Sequence, residues 1–442
     1  MKKSLFILAS VVFLFQTVNA QNYQVSTIVG SGTQGYLDTT AQNCQMYWPY
    51  GLASDNDSAI YFSDAANHRI RKFNIVSNMV TTIAGNGTIG LQDGVGDSAM
   101  FNWPDALFYT NGLLYVGDNQ NNAIRKIDLS TNMVTTIAGN GTAGFKDGPA
   151  DSSILKNPAG IVVDSIGDIY FADGYNYCIR KISNGIVSTV AGVPGTFGYQ
   201  DGAANQALFH RPRYITLDSN GVMYIADINN NVIRKYTNGI VSTFAGTGVA
   251  GGDDGADSTA TFSAPVGISS TYNNFLYVVD GGGNKLRKVD SQGNVSTIAG
   301  NGVFGFYDGG ADSAEFFYPQ GVAYDEHGII YMADRDNNRI RKIELPQSEA
   351  KIKTPAGIKT LVKTTNISIY PSPSSGLVTI QVLNATENYT YKTYNTLGQE
   401  VKSGNLAQTT NQISLQDLSN GVYTIVVSQK DKISTSKIIV QK

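Results

Sequence analysis

The stretch Val134–Gly148, VTTIAGNGTAGFKDG, holds Gly139, Gly141 and Gly144 at the spacing of the dinucleotide-binding fingerprint G-x-G-x-x-G. That fingerprint carries chemistry only when a strand enters it and a helix leaves it, because the phosphate then rests on free N–H groups at the helix N-terminus. A strand does enter, over Met133–Gly139. The continuation FKDGPADSSILKNPAG contains Gly148, Pro149 and Pro158 and shows no helical apolar period, so no crossover helix leaves. The glycines therefore serve something other than a phosphate.

Moving outward, the stretch recurs as VSTIVGSGTQGYLD from Val25, VTTIAGNGTIGLQDG from Val80, VSTVAGVPGTFGYQDG from Val187, VSTFAGTGVAGGDDG from Val241 and VSTIAGNGVFGFYDG from Val295. The period is about 54 residues, in the range of propellers and solenoids. A phosphate cradle is needed once; a loop that occurs six times is a structural connector. Its Asp-Gly pairs, at Asp93, Asp147, Asp201, Asp254 and Asp308, favour turns, and the second acids Asp97 and Asp312 are placed to cap a short helical turn. Their spacing does not match a calcium loop.

Each copy continues with a small residue, an apolar anchor and a proline: Cys44/Met46/Pro49, Ala99/Phe101/Pro104, Ser153/Leu155/Pro158, Ala207/Phe209/Pro212, Ala260/Phe262/Pro265 and Ala314/Phe316/Pro319. An apolar strand (GIVVD from Gly160), a turn (DSNG from Asp218) and a strand-loop-strand (IYFADGYNYCIRKI from Ile169) follow. Four short strands per unit make a propeller blade. Abundant glycine and tyrosine, with only 15% charged residues, agree with an all-β chain.

Through Pro-x-Gly-Ile/Val, Ile-Tyr-x-x-Asp-x-x-Asn and Asn67–Phe73 (NHRIRKF), residues 22 to 345 resemble the NHL-repeat β-propellers. The resemblance implies a closed ring of six blades. The copies open at Val25 with a fourth-strand sequence and end at Arg341–Leu345 with a third strand, so the last blade is expected to borrow the N-terminal strand.

Two sets of charges repeat with the blades. Asp64, Asp118, Asp173, Asp227, Asp280 and Asp334 are each followed seven residues later by Arg71, Arg125, Arg180, Arg234, Arg287 and Arg341. A catalytic pair is not needed six times, so these are read as structural: the Asp satisfies N–H groups of the loop after the second strand, and the Arg or its Lys neighbour solvates the third strand. Cys44 and Cys178 fall at different positions of different repeats, so a disulfide is not expected.

Function is expected where the repeats differ. The residues flanking the blade prolines are Trp48 and Tyr50, Trp103 and Asp105, Asn157 and Ala159, Arg211 and Arg213, Ala264 and Val266, Tyr318 and Gln320. They should ring the mouth of the central channel, and Trp48, Tyr50, Trp103, Asp105, Arg211, Arg213, Tyr318 and Gln320 are the candidate ligand-binding set. Aromatic rings with a few polar groups suit a glycan, a peptide or a partner protein. The alternative is an extracellular lyase or hydrolase at the same mouth. His68, His210 and His327 are the only histidines and are not placed to meet, and no histidine follows a blade proline as in the zinc-dependent amidating lyase of NHL type. No catalytic residue, metal or cofactor is assigned. Nucleic acid is not an expected partner, because residues 21 to 346 carry about 20 Lys and Arg against about 30 Asp and Glu.

The termini speak of export. Lys2 and Lys3, the run LFILASVVFLF and Val18-Asn19-Ala20 read as a secretory signal peptide over residues 1–20, with no transmembrane segment in the mature chain. Residues 346–366 read as a linker. Residues 367–442 alternate apolar and polar residues between Gly and Asn turns, the pattern of a small Ig-like β-sandwich. Tyr370-Pro371-x-Pro373, Gly376, Asn395-x-x-Gly398, Leu418-x-x-Gly421-x-Tyr423 and the closing Lys437 to Lys442 resemble the C-terminal sorting domain of the type IX secretion system, with Ser372 where that family usually has Asn. The resemblance implies a secreted or outer-membrane-attached protein that engages the type IX machinery through its tail.

Overall fold

A computed structural model describes residues 23–271, 274–325, 327–344, 367–370, 374–382, 389–395, 400–406, 409–429 and 432–440. The proposed signal peptide and linker, and Pro371–Pro373 and Gly398 of the tail motif, lie outside the described residues. The chain divides into two compact units, Met1–Ala350 and Lys351–Lys442.

The first unit holds six antiparallel sheets, each built on four consecutive strand positions. In the first blade these are Pro49–Ser54, Ala59–Asp64, Arg69–Asn74 and Met79–Ala84. Cores form between neighbouring blades: Ala53, Tyr61 and Ile70 of the first pack with Leu107, Leu114 and Val116 of the second. Second strands such as Ala59–Asp64 are therefore buried throughout, as expected of a sheet covered on both faces. In the sixth sheet the outer position is filled by Gln24–Val29, paired antiparallel with Arg339–Glu344. The ring is thus closed by strands from its two ends.

The connectors do join the fourth strand of one blade to the first strand of the next, and on the way they pair with the outside of that next blade. Gly94–Val95 bonds to Met133–Val134, Gly148–Pro149 to Ile186–Val187, and Gly309–Gly310 to Gln24–Val25. The expectation that Asp97 caps a helical turn is corrected: it lies inside the turn Gly96–Ser98, whose N-cap position is Val95 and which has no side-chain cap. Asp312 likewise lies within a turn and not before a helical one.

The repeated charges hold the connectors. Arg71 is fully buried, donating to Asp64 Oδ2 at 2.9 Å, Asp38 Oδ1 at 2.8 Å and the carbonyls of Leu37 and Gln45. Each of the six arginines bridges its blade Asp to a connector Asp in this way. Of the two basic neighbours, the arginine therefore does not solvate the third strand, whereas the lysine, as at Lys72, keeps partial exposure. The connector aspartates do more than favour turns, since Asp93 also accepts the N–H and hydroxyl of Thr136. Asp64 Oδ1 accepts from Tyr47 N, in the segment before the blade proline, and both its oxygens accept from the side-chain amide of Asn67 in the loop after the second strand. The need for a planar five-donor guanidinium leaves no mark in the residue pattern, because the connector carbonyls it satisfies are contributed by backbone. Cys44 and Cys178 are buried and unpaired, and burial pushes the Cys44 thiol up to about 11.

The second unit has a three-stranded sheet (Ile367–Tyr370, Leu377–Val382, Thr410–Ser414) and a four-stranded sheet (Glu400–Leu406, Tyr389–Tyr394, Gly421–Gln429, Lys432–Val440). They share one core that includes Val378, Ile380, Tyr391, Ile413, Ile425 and Val440.

Candidate functional site

The segment entering each blade is shaped twice before it becomes a regular strand. First, the residue before the proline has positive φ in all six blades: Trp48 (54°), Trp103 (57°), Asn157 (54°), Arg211 (66°), Ala264 (52°) and Tyr318 (45°). The left-handed region costs a side-chain-bearing residue about 1–2 kcal/mol. Because every blade bears that cost, the strain belongs to the architecture, and only the identity of the side chain is free to serve a ligand. Second, five first strands are bulged just after the proline, with the pairing register shifting between Pro49 and Leu52, Pro104 and Leu107, Pro158 and Ile161, Pro212 and Ile215, and Pro265 and Ile268. A bulge releases the intervening residues from the ladder and re-aims their side chains. Tyr50, Asp105, Ala159, Arg213 and Val266 sit in these bulges.

A clip fixes this entry segment to the preceding blade. Trp48 N–H donates to Asn338 Oδ1 (3.0 Å), Trp103 N–H to His68 Nδ1 (3.1 Å), Asn157 N–H to Asn122 Oδ1 (3.1 Å), Ala264 N–H to Asn231 Oδ1 (2.9 Å) and Tyr318 N–H to Asn284 Oδ1 (2.9 Å). His68 is thus an inter-blade acceptor. His210 stacks on Phe197 at 4.8 Å, and His327 lies in a turn with Nδ1 4.0 Å from Asp325.

The structure brings five of the eight candidates together. Tyr50, Trp103, Asp105, Arg211 and Arg213 line one cavity of about 200 Å³. Within it, Arg213 Nη2 and Nε donate to Asp105 Oδ2 at 2.8 and 3.2 Å, while Tyr214 Oη donates to Asp105 Oδ1 at 2.8 Å. This group ties the second blade to the fourth. At the position equivalent to Asp105 and Arg213 the intervening blade has Ala159, whose small side chain leaves the guanidinium room to pass. A second cavity of about 200 Å³, lined by Leu52, Leu107, Ile161, Ile215, Ile268 and Val322 from the six first strands, is the interior of the channel. Asp105 and Arg213 line the upper cavity and Tyr214 the lower, so the group stands at their junction.

The other three candidates are placed differently. Trp48 packs edge-on against Trp103 at 5.6 Å, and Arg335 lies 5.7 Å from the Trp48 ring and 5.1 Å from that of Tyr318. Tyr318 is exposed. Gln320 is buried, donating to the Tyr318 carbonyl at 3.2 Å, and its Oε1 has no hydrogen-bond partner among the described residues.

Four contributors escaped the sequence reading. Asn119, Gln120 and Tyr175 reach the upper cavity from the loops between second and third strands, far in sequence from the prolines that mark the other candidates. Tyr214 had a visible signal: it stands where Gly51, Gly160, Gly267 and Gly321 complete Pro-x-Gly. Those glycines let first strands abut, since a Cβ on Gly160 would lie 2.5 Å from the Arg213 carbonyl oxygen. A large residue at that position marks a blade doing something particular at the channel.

Residues 368–441 match the family model for the secretion system C-terminal sorting domain. Among curated proteins, the chain is 29% identical over 328 residues to the chloroplastic protein Suppressor of Quenching 1 of Arabidopsis thaliana, covering 68% of this chain and 31% of that one. It is 25% identical over 375 residues to NHL repeat-containing protein 2 of Gallus gallus, covering 75% and 51%. The chain thus spans about a third to a half of the length of these relatives. Among solved structures, an auxiliary nutrient binding protein of Bacteroides thetaiotaomicron superposes with a TM-score of 0.57 at 19% identity, covering 73% of this chain and 76% of that one. The sorting domain marks the protein as secreted or held at the cell surface, and no helix among the described residues is long and apolar enough to cross a membrane. Repeated motifs, six blade sheets and the matched tail together make this chain an NHL-repeat β-propeller with a C-terminal type IX sorting domain.

Proposed function

We propose that the protein is an extracellular recognition module that binds a glycan, peptide or protein ligand at the mouth of the propeller channel, with the first 20 residues and the tail serving export. One observation carries this reading: where the six blades depart from their common pattern, the departing side chains Tyr50, Trp103, Asp105, Arg211 and Arg213 converge on one open cavity. A single specific ligand requires such asymmetry of a pseudo-symmetric ring. The residue before the proline has positive φ in every blade, so at that position the variation resides in the side chain. A protein of similar fold described as nutrient binding is in keeping with the reading. Trp48, Tyr318 and Gln320 extend the candidate surface toward the sixth blade.

The test is a glycan and peptide array probed with the full chain, repeated with Trp103→Ala. Loss of the hits in the variant supports the mouth as the site. Hits that persist unchanged would move the site to the outer edges of the blades.

A further inference from the structure

Within the upper cavity the cations are not equivalent. Arg213 is held by Asp105, and Arg335 nearby is held by Asp336. Arg211 has no carboxylate partner among the described residues; its guanidinium lies over the Tyr175 ring, 5.0 Å from the centroid. An unneutralised arginine in a protein of net charge −3 is a local departure from the surrounding field. More distant acids do little to cancel it, because charges separated by more than about 8 Å are screened at physiological salt. We propose that the cavity receives a carboxylate-bearing sugar residue of an acidic glycan, with Arg211 as the carboxylate's partner. This rests on the reading of the mouth as the binding site.

The remaining lining fits a sugar ring. Asn157 Nδ2 donates to Asn119 Oδ1 at 2.8 Å, and Gln120 Nε2 donates to the same oxygen at 3.3 Å. These amides are ordered in advance and keep donors and acceptors for hydroxyl groups, which both give and accept. Trp103 and Tyr175 supply ring surface for the C–H face of a pyranose. A guanidinium fork meets a carboxylate with two parallel hydrogen bonds. The cavity, about 200 Å³, lies below the ~300 Å³ at which pockets for drug-sized ligands begin, so it takes one unit while the chain continues outside. An extended peptide would need free main-chain groups to pair with. At this mouth the prolines have no N–H, and the N–H groups of Trp103 and Asn157 are already given to His68 and Asn122.

The experiment is titration calorimetry on the full chain with trisaccharides of galacturonate, glucuronate and mannuronate, their neutral hexose counterparts, and a glutamate-rich tripeptide. Arg211→Asn is the informative variant, since Asn157 occupies the equivalent left-handed position in the third blade and asparagine tolerates that conformation. At least one uronate should bind about tenfold or more tightly than its neutral counterpart. Arg211→Asn should abolish that preference, bringing the uronate to within about twofold of its neutral counterpart. Trp103→Ala should weaken both. Equal binding of acidic and neutral sugars that still depends on Trp103 would overturn the carboxylate assignment and leave the mouth reading standing. Tighter binding of the acidic peptide would overturn the sugar. Binding of no probe would overturn the acidic-sugar assignment, and binding indifferent to Trp103 would overturn the mouth reading with it.

Discussion

His68 performs in the first blade what asparagine performs in four others, accepting the N–H of the residue before the next blade's proline. An imidazole can do so only while Nδ1 is unprotonated. Burial, and after it the Arg69 cation, hold its pKa below the ordinary 6.5. A depressed value in the folded state means that the contribution is present above pH 6.5 and lost as the pH falls through the folded value. His68→Asn should therefore melt like the parent near pH ~7.5 and lose less stability on acidification to pH ~5. Parallel melting curves for the two proteins across that range would refute the clip. Arg213 calls for a different expectation. From sequence alone, Arg213→Ala reads as a clean binding variant with little effect on stability. With Asp105 almost fully buried and held by that guanidinium, the substitution strands a carboxylate and should destabilise the fold by about 3–5 kcal/mol. A denaturant titration measures this, and an unchanged midpoint would show that Asp105 finds another partner. Trp103→Ala is the cleaner variant.

Strand positions and connectors were legible because they repeat: six glycine-rich loops, six prolines and six Asp-to-Arg spacings fix the blade through redundancy. The pairing of each connector with the following blade was not legible, since a two-residue ladder such as Gly94–Val95 leaves no periodic trace. The burial of the arginines was also missed, because a third strand reading Arg-Lys suggests solvent for both although only the lysine side of the strand is open. Of the candidate site, residues adjacent to the prolines could be named, whereas Tyr175 and Asn119 come from loops whose approach to the channel depends on tertiary packing. The first strands make a sharp prediction at Gly160. An added Cβ would meet Arg213 O and Tyr214 Cα, both at 2.5 Å and both unable to swing aside. Gly160→Ala should cost about 1–3 kcal/mol, measured by chemical unfolding. A neutral result would mean that adjacent first strands can separate without loss.

Closure of the ring depends on one strand from the chain's beginning, Gln24–Val29, pairing with Arg339–Glu344 and with Gly309–Gly310. Tyr23 and Val25 are buried in the core between the fifth and sixth blades. Deleting residues 21–30 removes that strand, exposes the edge of Arg339–Glu344 and opens the clip region beside it. The truncated protein should lose cooperative thermal unfolding, which calorimetry would register as a broadened, low-enthalpy transition. Unchanged stability would show that the sixth blade holds without its outer strand.

That same pairing has a kinetic side. Every other outer strand can find its partner within its own hairpin as soon as both have emerged, but Gln24–Val29 must wait until the last blade has been made and then cross nearly the full length of the propeller sequence. Its contact order is the highest in the ring, and the entropy of closing so long a loop falls due in that one step. The ring therefore remains open for as long as synthesis and export of its last blade take, and the final docking is the slow event. A circular permutant that begins at Pro49 and joins Glu344 to Gln24 through a short turn would convert this long-range search into a local hairpin, and should refold faster than the parent chain.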